Sequence, residues 1–364
     1  MARFLVIPTL AIGLLALADA QEKATTTIVE GAGYFPVLIQ LKDGRLASVF
    51  RGGAAHIGRG GRLEWTTSTD SGRSWTKPQT LVDGPEDDRN PAFGQLRDGT
   101  LLLAYCVLSG YDHTGAKLSA NRAERVFDGV YLMRSADKGK TWTKGEKIPN
   151  TAKPPKAEAL SAAVSPYGKI VQTADGTVLM AVYYEVNSAD GKQQFQSWLY
   201  RSKDSGATWG DPSLIQIDGN ETALAVLADQ TVIAAVRTSR AGFLQVSRSR
   251  DGGRTWSVPV AVTKNAEHPA DLIQLRDGRL LMTFGQRNPP RGVHALISSD
   301  GGVTWTPNDH IHLAADAPNV DCGYPSSIEV TPGRVVTMYY QVDDAAKAPE
   351  SAKAKVVVWS VSKQ

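Results

Sequence analysis

One motif recurs along the chain and limits the folds it can adopt more than any other feature. The pattern Ser-x-Asp-x-Gly-x-x-Trp occurs five times. The copies are Ser68–Trp75, Ser135–Trp142, Ser202–Trp209, Ser249–Trp256 and Ser298–Trp305. Such repetition indicates a chain built from similar supersecondary units, as in a β-propeller.

The chemistry of the motif suits a stiff hairpin. Its Asp can accept hydrogen bonds from backbone N–H groups of its own turn. Its Gly supplies a positive φ, and its Trp buries a large apolar ring between strands. We therefore assign the motif a structural role, with buried Trp rings and Asp residues that take no part in catalysis.

A second repeat gives the number of units. Short apolar runs flank a tight turn six times, which is typical of β-hairpins. The turns are Asp43-Gly44, Asp98-Gly99, Asp175-Gly176, Asp229-Gln230, Asp277-Gly278 and Pro332-Gly333. We predict an all-β, six-bladed β-propeller with five hairpins of the Ser-x-Asp type. The last blade should take its third strand from Val356–Val361 and its outer strand from the region of Thr26–Val29, which closes the ring.

The N-terminal residues are typical of a targeting segment. A basic Arg3 precedes an apolar run and the small-residue sequence Ala18-Asp19-Ala20. We predict a signal peptide over residues 1–20, cleavage before Gln21, and one domain over 21–364 in a secreted or periplasmic protein. No other stretch is long and apolar enough for a membrane span. The net charge of +3 is spread without a basic block, which argues against a nucleic-acid partner.

The chain has two cysteines, Cys106 and Cys322. Export would permit a disulfide between them, and two buried free thiols are equally compatible with the sequence. Two cysteines without a neighbouring Cys or His cluster do not make a zinc site. No cofactor motif is present, and we expect none to be bound.

Polar side chains collect where inner strands should begin and second strands should end. In a propeller these positions surround the central axis. They include Arg89, Glu221, His268 and Tyr324 at the beginnings, and Arg51, Tyr183, Arg237 and Tyr340 at the ends, with Arg287 and Arg291 just beyond. Arginine binds carboxylates bidentately, so the set favours a pocket for an anionic ligand. The alternative is that these charges only pair with one another around a wet channel.

With these motifs in view, the chain resembles the sialidase superfamily over essentially its whole mature length. That family uses a Tyr nucleophile activated by a Glu, an arginine triad on the substrate carboxylate, and an Asp acid/base. The resemblance implies Tyr324 in "DCGYPSSIEV" as nucleophile and Glu221 as its base, with Arg237 in the same blade. It also implies Arg291 as a triad member, Arg287 as the reserve, and Arg51 in "LASVFRGG" as a further substrate-binding residue.

Two positions depart from the family pattern. The first blade reads Tyr34-Phe35-Pro36 where the family has Arg-Ile-Pro, and that arginine belongs to the triad. The Asp acid/base expected after Arg51 is also absent. His56 could donate the proton, because its unperturbed pKa lies near neutrality, although an ordinary loop histidine is the alternative. Arg89 could supply the missing positive charge from the second blade.

The resemblance implies an exo-acting glycoside hydrolase that releases a terminal anionic sugar, sialic acid or a relative, with retained configuration. The expected partner is a glycan or glycoconjugate. The departures keep a second class open, an exo-arabinanase-like enzyme or a polysaccharide lyase on the same scaffold. A carbohydrate-binding propeller without catalysis is the third possibility, because a fold alone does not fix function.

Overall fold

The computed structural model describes residues 23–121, 124–151, 153–155, 163–187 and 193–362. The predicted signal peptide and its cleavage site lie outside these residues. The regular secondary structure of the described chain is almost entirely β-strand, with a short 3-10 helix at Ala345–Lys347. Within these ranges, no helix combines the length and the apolar character that crossing a bilayer requires.

The strands fall into short meanders. After β1 (Ala24–Glu30), the first meander covers β2 (Ala32–Gln40), β3 (Leu46–Gly52), β4 (Arg62–Ser68) and β5 (Gln79–Val82). The second covers β6 (Asp87–Gln95), β7 (Leu101–Ser109), β8 (Val126–Ser135) and β9 (Glu146–Lys147), and the third β10 (Ala163–Gln172), β11 (Val178–Asn187), β12 (Gln193–Ser202) and β13 (Gly210–Ile217). The fourth covers β14 (Gly219–Val226), β15 (Val232–Thr238), β16 (Leu244–Ser249) and β17 (Val260–Ala261). The rest are β18 (Glu267–Gln274), β19 (Leu280–Gln286), β20 (Gly292–Ser298), β21 (Ile311–Ala314), β22 (Cys322–Thr331), β23 (Arg334–Val342) and β24 (Ala352–Ser360).

These meanders form a propeller-like arrangement. Four of the sheets are separate four-stranded blades, β2–β5, β14–β17, β18–β21, and the closing blade with the order β1-β24-β23-β22. The expected six separate sheets are not present, because β6–β9 and β10–β13 share one eight-stranded sheet. The two halves join through a short parallel pairing of β6 with β10, Gly168 with Ala92 and Lys169 with Phe93.

The closing blade confirms the predicted pairing of the two ends of the chain. β1 runs antiparallel to β24, with Ala24 opposite Val358 and Thr26 opposite Val356. An outer strand from one end and a third strand from the other leave no free edge between them, and β-sheet edges are otherwise prone to pair with other chains.

The Ser-x-Asp hairpins are held as their sequence predicts. In the first copy, the Asp70 carboxylate accepts the backbone N–H of Arg73 and Ser74 at 3.0 and 2.9 Å. A hydrogen bond from the Ser74 hydroxyl is the main cause that lowers the pKa of Asp70 to about 2. The indole Nε1–H of Trp75 donates to the carbonyl of Gly72 at 3.1 Å. The five motif Trp rings are half-buried rather than buried, because each packs against the edge of an apolar core cluster and keeps part of its surface exposed.

A chain of hydrogen bonds links the six tight turns. Gln95, at the end of β6, accepts the backbone N–H of Lys42 from the preceding turn at 2.7 Å. The same link recurs from Arg97 to Gln172, from Ala174 to Gln230, from Ala228 to Gln274 and from Arg276 to Glu329. Five junctions are tied in this way. Between Thr331 and Gln40, which are both described residues, no such bond forms, and we call this junction the closure junction.

A buried ion pair crosses the centre of the molecule. Lys169 of β10 bonds both carboxylate oxygens of Asp271 of β18, at 2.7 and 2.5 Å, and the carbonyl of Ser327 of β22 at 3.0 Å. Asp271 also accepts the Ser327 N–H at 2.7 Å. Burial lowers the pKa of Lys169 and raises that of Asp271 despite their mutual attraction. The pair therefore fastens three inner strands to one another.

Candidate active site

Three inner strands begin with the same backbone distortion. Phe35, Asn90 and Tyr324 each precede a proline and have φ of 55°, 52° and 50°, in the left-handed region. Each lies where its strand slips register against the next one. Such bulges re-aim side chains and are common at functional sites. All three residues line one narrow cavity of about 10 Å³, together with residues of β10 and β18.

Tyr324 and Glu221 meet in this region, as the sequence predicts. The Tyr324 hydroxyl donates to Glu221 Oε1 at 2.5 Å. The other carboxylate oxygen, Oε2, accepts from Arg237 Nη1 at 2.6 Å. Burial raises the pKa of Tyr324 above its usual value, and the charge of Glu221 adds to this, while Arg237 and Arg287 oppose it. The hydroxyl is therefore protonated at rest and bonded to a carboxylate that can accept its proton.

Of the two arginines expected from the fifth turn region, Arg287 lies beside Tyr324. Its guanidinium carbon is 5.7 Å from the centre of the Tyr324 ring. Its Nε atom is buried and has no hydrogen-bond partner in the described chain. Arg291 lies behind it, where its Nε–H donates to the Arg287 carbonyl at 3.2 Å. The reserve residue is thus the one placed at the candidate nucleophile, and Arg291 braces its backbone.

Arg51 and Arg89 meet at a carboxylate that the sequence analysis did not single out. Asp87 accepts from Arg51 Nε at 2.7 Å, from Arg89 Nη1 at 3.0 Å and from the Tyr111 hydroxyl at 2.6 Å. The Arg51 side chain is 0% exposed and also bonds the carbonyls of Ala55 and Gly58. It has no surface to offer a ligand and instead holds the loop that carries His56.

The first-blade position of the missing arginine is aromatic. Tyr34 is fully buried, under the Arg51 guanidinium at 5.8 Å from its ring. Phe35 reaches the site in its place and packs on Tyr324, with 4.8 Å between ring centres. The Arg89 guanidinium lies 5.7 Å from the Phe35 ring. Arg89 therefore brings a positive charge next to the first-blade position, where it is shared with Asp87.

His56 has a carboxylate partner from the opposite end of the chain. Its Nδ1–H donates to Asp321 Oδ1 at 2.8 Å, and the Tyr340 hydroxyl donates to the same oxygen at 2.7 Å. Burial would raise the pKa of Asp321, but the hydrogen bonds from His56 and Tyr340 lower it below its usual value. His56 also packs edge-on against Phe35 at 4.9 Å. An imidazole held by a carboxylate is a recurrent acid/base arrangement.

Comparison with known proteins settles the family. Residues 65–337, more than half of the chain, match the model of the BNR repeat-like domain. The chain belongs to this family. Its five Ser-x-Asp-x-Gly-x-x-Trp repeats are the Asp boxes typical of the sialidase superfamily, and they place the chain in that superfamily.

The BNR-repeat protein matches several known proteins at low sequence identity. A sialidase from Bacteroides fragilis (strain YCH46) is 25% identical over 240 residues, which cover 63% of this chain and 42% of that protein. The chain thus spans less than half the length of that relative. A protein of unknown function from Dyadobacter fermentans has a TM-score of 0.77 at 24% identity, covering 94% of this chain and 98% of that one. The NanB sialidase of Streptococcus pneumoniae has a TM-score of 0.68 at 14% identity, covering 92% and 70%. The structural matches show the shared fold.

Some residues of the BNR-repeat site escaped the sequence analysis. Asp321 stands three residues before Tyr324, and Asp87 stands two before Arg89, so each was visible beside a residue that was singled out. What hid them is that one partner of each carboxylate, Arg51 for Asp87 and His56 for Asp321, comes from a different blade. Cys106 and Cys322 are both buried and free, so the structure contains no disulfide between them. Within the described ranges, no cluster of three or more His, Cys, Asp or Glu side chains could hold a metal ion.

One buried carboxylate should make the stability of the BNR-repeat protein depend on pH. Asp88 is buried and accepts the Gly84 N–H at 2.6 Å. Burial, with the charges of Asp87 and Asp83, raises its pKa from 3.8 to about 6. The folded state therefore holds this proton more tightly than the unfolded state, so stability is present below about pH 4 and is lost as pH rises through 6. Asp88→Asn should stabilise the protein at pH 8 by up to about 3 kcal/mol, at 1.36 kcal/mol per pKa unit.

Urea unfolding of the wild type and Asp88→Asn at pH 4.5 and pH 8 measures this difference, which should be only about one third as large at the lower pH. Asp204→Asn is the matched control of opposite sign, because a hydrogen bond from Thr208 lowers the pKa of Asp204 to about 2. It should lose stability at pH 8. Equal effects of Asp88→Asn at both pH values would contradict the assignment.

Proposed function

We propose that this protein is a secreted, exo-acting glycoside hydrolase of the sialidase type that releases a terminal anionic sugar with retention. The observation that carries the proposal is the contact of the Tyr324 hydroxyl with Glu221, whose other oxygen binds Arg237. A buried tyrosine bonded to a buried carboxylate beside two arginines is what an activated phenolic nucleophile requires. The sialidase names of the relatives agree with it.

The first chemical step follows from this contact. Glu221 takes the phenolic proton as the Tyr324 oxygen attacks the anomeric carbon, and the bond to the leaving oxygen breaks. Sialidases with a Tyr nucleophile are an exception to the use of two carboxylates in glycoside hydrolysis. Water then breaks the bond between tyrosine and sugar, and the phenolic proton returns. Two displacements at one carbon retain its configuration.

The positive charges decide which sugars fit. The charges of Arg237 and Arg287 both lower the pKa of Tyr324, so both lie near its hydroxyl. An anion that they bind would therefore lie close to the reacting carbon. This favours a sugar whose carboxylate is attached at or beside the anomeric centre, as in sialic acid and related ulosonic acids. Arg89 offers a third charge from β6. Arg51 and Arg291 hold the loops that carry His56 and Arg287.

His56 is the acid/base in this proposal, and Asp321 positions it. An imidazolium beside a carboxylate can give a proton to the leaving oxygen and later take one from water. His56 lies against Phe35, and Phe35 packs on Tyr324, which places the imidazole on the wall next to the nucleophile. It thereby supplies the proton transfer for which the family uses an Asp.

A screen on aryl glycosides tests the proposal. The wild type should release the aryl group from an α-sialoside or a related ulosonic acid glycoside, and not from neutral arabinofuranosides or hexosides. The stereochemistry of the first-formed sugar, followed by NMR, should show retention. Hydrolysis with inversion would overturn the Tyr324 mechanism even if the substrate class were right.

His56→Ala should separate acid catalysis from the rest of the reaction. We expect it to slow glycosides with poor leaving groups by about 100-fold or more, which is the usual contribution of a general acid. Activated aryl glycosides, which need little protonation, should be affected much less. Measuring kcat/KM over a series of phenols of different acidity tests this. The same loss on every leaving group would show that His56 acts only through the loop that carries it.

The His56–Asp321 pair also favours a second candidate, a polysaccharide lyase. A histidine and a tyrosine facing one sugar can abstract and return a proton, while arginines neutralise the carboxylate of a uronic acid. Such an enzyme would leave an unsaturated sugar that absorbs ultraviolet light. Incubation with polyuronides, followed by absorbance, distinguishes it from the hydrolase.

The same proposal includes the finer architecture and the location. We take the halves β6–β9 and β10–β13 as two blades, since only two residue pairs join them, which gives six in all. The N-terminal sequence supports export and cleavage before Gln21. N-terminal sequencing of protein recovered from the periplasm or the culture medium checks the cleavage site.

A further inference from the structure

His268 is a polar side chain that the proposed mechanism does not use. It stands near the start of β18 and is 5% exposed. Its Nδ1 atom is buried and has no hydrogen-bond partner in the described part of the chain. Buried polar groups without partners are destabilising and are rare in folded proteins, and those that persist commonly serve a function.

The charged groups that change the pKa of His268 are two arginines of the candidate site, Arg237 and Arg287. Burial, followed by Arg237 and Arg287, lowers its pKa from 6.5 to about 2. The imidazole is therefore neutral throughout the working range of an enzyme. It offers one N–H donor and one acceptor near these two guanidinium groups without adding a charge of its own.

The backbone around His268 brings it close to the candidate nucleophile. A Cβ on Gly285 would stand 2.7 Å from the His268 carbonyl oxygen and 3.2 Å from Cα of Gly323, the residue before Tyr324. On the other side, a Cβ on Gly242 would stand 3.0 Å from His268 Nε2. Because Gly242 has no side chain, the loop after β15 approaches this edge of the ring with backbone alone.

We propose that His268 is a ligand-binding residue that completes, with Arg237 and Arg287, the grip on the anionic group of the substrate. This inference rests on the proposed function and refines it. The first-blade position, where the family has an arginine, is a buried Tyr34. The neutral imidazole adds an N–H contact from the blade β18–β21, beside Arg237 and Arg287, while Arg89 contributes only its charge from β6. Phe35 and His56, which pack on each other, face the uncharged part of the sugar.

Direct binding tests this assignment without requiring turnover. Isothermal titration with free N-acetylneuraminic acid, its methyl ester, glucuronic acid and galacturonic acid is carried out on the wild type, His268→Leu and His268→Gln. Loss of a hydrogen bond to a charged group should weaken the best acid roughly 10- to 100-fold in His268→Leu. His268→Gln, which keeps an N–H donor, should recover most of that loss. The methyl ester should bind weakly to all three proteins.

The matched control is His294→Leu. His294 is on the same blade, is 2% exposed and has a pKa that burial lowers to about 3, but it packs against His310 and His312. It should leave acid binding unchanged. Wild-type affinity in a folded His268→Leu, or no recovery in a folded His268→Gln, overturns the inference, as does a wild type that binds none of the acids. Acid binding that depends on His268, without cleavage of any aryl glycoside, would support the inference and count against the hydrolase.

Discussion

Tyr324→Phe and Glu221→Ala should each lower turnover of an activated aryl glycoside by about 1,000-fold or more, because each removes one half of the activated nucleophile. Phenylalanine keeps the packing of the ring against Phe35 and removes only the hydroxyl, which donates a hydrogen bond to Glu221. The melting temperature of Tyr324→Phe should therefore stay close to that of the wild type. Steady-state kinetics with thermal unfolding on the same samples give both quantities.

The two losses should not add. If Glu221 acts only as the base for Tyr324, removing either residue disables the same step, and the double variant should resemble the single ones. The matched control is Tyr184→Phe, which removes another buried hydroxyl, one bonded to Tyr200 at 2.7 Å and remote from this chemistry. It should keep wild-type turnover. Near-normal rates for Tyr324→Phe on every cleavable substrate would rule out the phenolic nucleophile.

Lys169→Met should be the most destabilising single change, at about 3–5 kcal/mol, because it leaves the buried Asp271 carboxylate without its cation. Burial raises the pKa of Asp271, so the folded state of the variant should regain stability at low pH, where the carboxyl is protonated, and lose it as pH rises. Urea unfolding at pH 5 and pH 8 measures both effects.

A second substitution separates the charge from the packing. In Lys169→Met with Asp271→Asn, an uncharged amide oxygen can still accept the Ser327 N–H, and much of the loss should be recovered. Lys347→Met is the exposed control, since its pair with Asp344 has side chains 76% and 44% exposed. Such pairs contribute little, and the change should stay within about 0.5 kcal/mol. A double variant no more stable than Lys169→Met would mean that packing of the lysine stem, rather than its charge, is what matters.

Features carried by local repeats could be predicted from the sequence. The Asp boxes and Asp-Gly turns report contacts within a few residues, so their spacing led to the all-β fold and to the pairing of β1 with β24. The contact of Tyr324 with Glu221 was also expected, because their common position relative to the turns placed them at one level of the ring.

Contacts between distant residues could not be predicted in this way. His56 and Asp321 are 265 positions apart, and spacing relative to a turn places a residue on a strand but does not orient its side chain. For the same reason Arg51 was expected to face the ligand, whereas its guanidinium turns into the protein toward Asp87. The choice between Arg287 and Arg291 depended on a loop geometry that the three intervening residues leave open.

The closure junction has a consequence for how the molecule fluctuates. Five junctions between neighbouring turns are each tied by a backbone N–H that donates to a side-chain oxygen of the next blade. At the closure junction the turns lack this bond, and β22 and β2 meet through the Leu38 N–H, which donates to the Ser326 hydroxyl, and through side-chain packing. We therefore expect local opening along this line to need less free energy than at the five tied junctions, and native-state hydrogen exchange measures this difference. His56 and Asp321 lie on opposite sides of that line. Opening at the closure junction should thus separate the His56 and Asp321 side chains before it breaks the contact between Tyr324 and Glu221.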